Sequence, residues 1–147
     1  MPEEFIMRGQ TASGQIETLN FSGYKPGYAY RLVEFVLFPS TNYLASSYEM
    51  CGTVTAAKTA VTPTDPNFNE QGLIGTAFCS DRDAAHYPAS TLSVVDDTFL
   101  ITQNLLLMVQ ESNNQPINWQ CRFIKEKMSG SEEAVANYKQ FTISDGS

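Results

Sequence analysis

The chain has 147 residues, 42% of them hydrophobic, enough for one domain that buries roughly 70% of the surface its unfolded form exposes. Nine basic residues against sixteen acidic ones leave a net charge of -7, which argues against nucleic acid as a partner. Apolar runs such as Leu105 to Val109 fall far short of the ~20 residues that span a bilayer, so no membrane partner is expected either.

Met1-Pro2-Glu3-Glu4 lacks the basic start of a signal peptide, which predicts synthesis in the cytoplasm. Residues 1–15 stand apart from the rest. Phe5-Ile6-Met7 is a short apolar patch, and Arg8 to Gln15 has the small-residue character of a linker. Two readings stay open: an arm that packs on a neighbouring subunit, with Phe5, Ile6 and Met7 in the interface, or an edge strand of the chain's own sheet. Residues 16–147 form a single predicted domain. Ile16 to Phe21 alternates as a strand, and Ser22 to Gly27 supplies a turn.

Tyr28 to Phe38 is the next predicted strand, stopped by Pro39. One face carries Tyr28, Tyr30, Leu32, Glu34, Val36 and Phe38; the other carries Ala29, Arg31, Val33, Phe35 and Leu37. Both faces are largely apolar, which predicts that one meets the core and the other is covered by more protein, as at a subunit boundary. Tyr28, Tyr30 and Glu34 are therefore candidate interface residues, and Glu34 needs an Arg or Lys beside it.

Tyr48 to Ala57 and Leu73 to Ser80 are further strands around a polar loop over 62–72, and Thr91 to Val95 leads into the strongest pattern of the chain. Leu105 to Val109 is apolar on both faces, whereas Ile117 to Phe123 alternates with Ile117, Trp119, Cys121 and Phe123 inward. With the polar segment Glu111 to Pro116 between them, the two runs predict a long antiparallel hairpin at the centre of one sheet. A helix is predicted near 131–141. Ser129 or Ser131 caps it, Glu132 and Glu133 occupy its first turn, Ala134, Val135, Tyr138 and Phe141 form its apolar stripe, and Lys139 sits near its C-terminal end. The expected fold is all-β: an antiparallel β-sandwich of jelly-roll type with one short C-terminal helix.

Chemistry is sparse. Cys51, Cys79 and Cys121 form no Cys-x-x-Cys pair and have only His86 to assist them, so zinc and a disulfide framework are both disfavoured and the thiols are read as core residues. His86 lies in a loop with no nucleophile elbow anywhere in the chain. Asp96 and Asp97 are adjacent and point to opposite faces of a strand, which suits a turn better than paired acid–base work. Asp65-x-Asn67-x-Asn69 begins like a calcium loop, but Glu70 and Thr76 stand where an EF-hand needs Gly and Glu. Tyr24, Tyr28 and Tyr30 are the best candidates for a sugar-binding surface. No catalytic residue, metal or cofactor is expected.

Three strings carry a resemblance: Val94 to Gln103, Ile117 to Cys121 and Glu132 to Phe141. The chain resembles a group of small proteins from marine tailed phages, and Gly14 to Phe38 extends the likeness to most of its length. The resemblance implies a non-enzymatic virion structural protein encoded near the capsid genes, of the capsid decoration kind. It further implies the major capsid protein and a homotrimer of the chain itself as partners, and a place on the capsid surface after synthesis in the host bacterial cytoplasm. A head-fibre base or tail component is the second expectation. A carbohydrate-binding module for host attachment is the third.

Overall fold

A computed structural model describes residues 3–21, 27–40, 48–81 and 90–128; the helix expected over 131–141, His86 and Tyr24 lie outside them. Eight strands follow in chain order: β1 (Glu3–Thr11), β2 (Ile16–Leu19), β3 (Tyr28–Pro39), β4 (Tyr48–Thr55), β5 (Leu73–Asp81), β6 (Ser90–Val95), β7 (Leu105–Glu111) and β8 (Ile117–Lys127). They form two antiparallel sheets, a smaller one of order β1-β8-β3 and a larger one of order β2-β7-β4-β5-β6. No helix occurs among the described residues.

The core lies between the sheets. Ile117, Trp119, Cys121 and Phe123 of β8 are all buried, as their alternation predicts, and they meet Met50, Val54, Leu107 and Val109 of the larger sheet in one cluster. Side chains of this size each contribute about 1.5–3 kcal/mol when taken out of water. Trp119 also places its indole N–H, which donates to the Thr11 hydroxyl over 2.9 Å.

The expected β7–β8 hairpin does not form. The two strands are the inner strands of different sheets, β7 between β2 and β4 and β8 between β1 and β3. Residues 112–116 carry the chain across the core instead of turning it back within one layer. Asn114 takes the left-handed conformation there, with φ 57°, and the Glu111 carboxylate accepts the Gln115 N–H over 2.7 Å. The strands therefore face each other across the core, where the alternation alone had suggested that they pair.

The two-faced strand is also corrected. β3 carries a bulge between Leu32 and Glu34, so Val33 adds one residue against β8 and reverses the alternation. Tyr30 and Leu32 point inward before the bulge; Phe35 and Leu37 point inward after it. Both apolar sets thus contribute to one core; of the outward positions, Ala29 packs with Met128 and Leu100, and Phe38 is 46% exposed. Small residues of the larger sheet make room for the inward side chains: a Cβ on Gly52 would lie 3.0 Å from Phe35 Cζ, and one on Gly75 would lie 2.9 Å from Leu32 Cδ2.

The free edge of β3 is covered by the chain itself. Tyr30 and Ile101 exchange main-chain hydrogen bonds of 3.0 and 2.7 Å, and the Ser93 hydroxyl of β6 donates to the Phe35 carbonyl. At the opposite edge, β1 pairs with β8 along its whole length, from Glu3↔Lys125 to Thr11↔Ile117. Within this chain Glu3–Thr11 is therefore an edge strand of the smaller sheet.

Candidate functional site

Most residues suggested by the sequence as an interface have structural work inside the domain. Phe5 and Met7 are half-buried and packed on the core. Phe5 stacks on Phe123 at 5.4 Å and meets Tyr30 edge-on at 5.6 Å. Tyr30 is buried, and the Tyr28 ring lies under the Lys125 ammonium at 4.7 Å, so the two tyrosines make no open platform for a sugar. Glu34 finds the cation it needs within its own chain, 3.8 Å from Arg122 Nε; Arg122 also lies 3.6 Å from Glu4 on β1. Only Ile6 of the apolar set is exposed, at 48%.

The polar motifs tie down turns. Asp96 accepts hydrogen bonds from the Thr98 N–H at 3.0 Å and the Thr98 hydroxyl at 2.6 Å. Asn67 accepts the Asn69 N–H through its side chain at 2.9 Å and the Glu70 N–H through its carbonyl at 2.9 Å. These bonds hold the loop by its own backbone, as Asx turns do. Among the described residues, no group of three or more His, Cys, Asp or Glu side chains converges to hold a metal.

The outer face of the larger sheet gathers exposed apolar side chains on neighbouring strands. Cross-strand register sets Cys51 of β4, Phe78 of β5 and Leu92 of β6 in one row, and Thr76 and Val94 in the next. Leu92 is 62% exposed, Val94 44% and Phe78 38%. The inward positions of β5 are taken instead by Gly75, Ala77 and Cys79, because Leu32 and Phe35 of β3 already fill that part of the core. Volume limits push the large apolar side chains outward.

Residues 56–72 fold back over one end of this face. The Thr53 hydroxyl donates to the Val61 carbonyl over 2.6 Å, and the Val61 N–H donates to the Thr55 hydroxyl over 3.1 Å. Between this loop and the sheet lies a groove of about 530 Å³, lined by Pro63 and Pro66 on the loop and by Cys51, Phe78 and Leu92 on the sheet. That volume suits a small apolar ligand or a few partner side chains. Cys51, expected in the core, is half-exposed on this side. Its thiol is pushed up by burial and then by the neighbouring Glu49 charge, so it stays protonated and is a poor nucleophile. The groove offers mainly apolar contact, with Glu49, Gln110 and Glu111 also in its lining. Sequence periodicity misses it, because Leu92 and Val94 alternate as an inward face would.

No protein-family model matches the sequence, and no curated protein matches it. Among solved structures, a chain of Desmodium yellow mottle tymovirus is similar with a TM-score of 0.40 and 9% sequence identity, over 87% of this chain and 89% of that one. A likeness at this level carries no inference about function.

Proposed function

We propose that the chain is a non-enzymatic virion structural protein, a capsid decoration protein that docks on the major capsid protein through the outer face of its larger sheet. The observation that carries this reading is the apolar surface of Phe78, Leu92 and Val94 beside the groove. Side chains of this kind held in water gain about 1.5–3 kcal/mol each when a partner covers them fully, and a cluster of them on neighbouring strands of one face marks a place of contact. The strand order supports the jelly-roll form of the fold. With β6 reaching β3 through Ser93, the series β1-β8-β3-β6 lies against β2-β7-β4-β5, the interleaving that two nested Greek keys produce. The resemblance to small phage proteins supplies the partner. The resemblance also implies a trimer; the strand on which self-association is expected turns Tyr30, Leu32, Phe35 and Leu37 inward and leaves Phe38 exposed.

Electron microscopy of purified virions, with peptide mass spectrometry of the particles, tests the proposal. The chain is expected on the head surface in many copies. A Leu92→Ser, Val94→Ser double variant is expected to fold and to fail to decorate, since both side chains project from the domain. Absence of the chain from virions, or full decoration by the folded double variant, overturns the reading.

A further inference from the structure

We infer that β1 is a self-recognition strand, by which two copies of the chain join edge to edge into one continuous sheet. The observation is independent of what the outer face of the larger sheet binds. Sheet edges are templates for further pairing. The free edge of β3 is occupied by Ser93 and Ile101, whereas among the described residues β1 ends its sheet with nine residues, and Glu3, Glu4, Ile6, Arg8, Gly9 and Gln10 are exposed. The side chain of Arg8 has no hydrogen bond or ion pair among the described residues.

The sequence of this edge is complementary to itself when run antiparallel. A two-fold axis through Ile6, perpendicular to the sheet, sets Ile6 against Ile6, Glu4 against Arg8 and Arg8 against Glu4 on the outer face. On the inner face it sets Phe5 against Met7, so the two cores continue into each other. Sliding the register by two residues in either direction loses this match. One slide puts Glu4 against Ile6; the other puts Ile6 against Arg8. Directly opposed opposite charges favour pairing and like charges oppose it, so this register is selected by charge as well as by apolar contact. The same patch meets itself on both copies, which closes the assembly at two.

A ladder of this length is at the small end of stable interfaces, so sedimentation of the purified chain is read up to about 100 μM, where a dimer is expected. Arg8 is exposed, and Glu4 adds only one partly exposed ion pair to Arg122, so Glu4→Arg and Arg8→Glu variants are expected to fold as the native chain does. Either one alone sets two like-charged pairs across the axis and is expected to weaken dimerisation by roughly tenfold or more. Mixing the two single variants, or combining both changes in one chain, restores the opposite charges and is expected to restore the dimer. A monomeric native chain, a trimer, or dimers of undiminished strength in either single variant overturns the inference.

Discussion

Gly52 sits where the larger sheet packs closely against β3, and adding one methyl group there should measure how tightly the core is closed. A Cβ at this position would lie 3.0 Å from Phe35 Cζ, 3.3 Å from Leu37 Cδ1 and 3.3 Å from the Met108 carbonyl oxygen. Carbon atoms at rest stand ~3.5–4.0 Å apart, and a main-chain oxygen inside a ladder cannot retreat. Overpacking of this sort costs roughly 1–3 kcal/mol. The same change removes freedom from the unfolded chain, which returns about 0.4–1 kcal/mol. Gly52→Ala is therefore expected to destabilise by about 1–2 kcal/mol, or to lower the melting temperature by several degrees. Phe35→Leu takes away the Cζ atom. In that background the alanine should cost less, the Leu37 and Met108 contacts remaining, with a coupling energy on the order of 1 kcal/mol in a double-mutant cycle. Urea titration followed by the fluorescence of Trp119, the sole tryptophan, gives all four stabilities. An equal cost of Gly52→Ala in both backgrounds would show that Phe35 is not what the methyl group meets, and the account of the small-residue row against the bulged strand would fail.

Two further perturbations separate the elements of the fold. Deleting Met1 to Ser13 removes the ladder on β8, the rings and thioether that Phe5 and Met7 lend to the core, and the Thr11 acceptor of the Trp119 N–H. An unsatisfied buried donor alone costs about 1–3 kcal/mol, so the melting temperature is expected to fall by more than ~10 °C; a truncated chain melting with the native one would return the segment to the role of an arm. The cysteines predict a pH dependence. Burial pushes the Cys121 thiol far above its ordinary 9.0, and burial with the Glu49 charge pushes Cys51 up as well. Their stabilising contribution is complete while the unfolded thiols are also protonated, and it declines as pH rises past that ordinary value towards the folded one. The urea midpoint should therefore drop between about pH 8 and pH 10, and drop less in a Cys121→Val variant; identical slopes in the two proteins would remove Cys121 as the cause.

Much of the fold was legible because periodicity reports which way a side chain faces. Ile117, Trp119, Cys121 and Phe123 alternate without interruption, and all are buried. Periodicity says nothing about which strand lies alongside, so β7 and β8 read as partners although they belong to different sheets. The error at β3 has another origin. One inserted residue, Val33, shifts the phase of everything after it. Two apolar faces in a row of eleven residues look the same whether the strand is buried on both sides or bulged in the middle.

The candidate site was hidden by the same logic applied to β5 and β6. Patterning assigns large apolar residues to the core, and Phe78, Leu92 and Val94 satisfy that rule as strings while breaking it in space. The cause is the partner layer rather than the strands themselves. Phe35 and Leu32 from the bulged strand take the volume in front of β5, so only Gly75, Ala77 and Cys79 fit behind it. Glycine and alanine on the inner face of a strand are the readable trace of this arrangement, and they were present in the sequence. Where small residues face inward, the apolar side chains between them must face out. A chain that keeps such side chains in water carries a local conflict with its own core, and conflicts of this kind are expected where a protein meets a partner. The bulge brings Phe35 beside Leu32 in that volume, and the exposed row on β5 and β6 is its counterpart on the other side of the sheet.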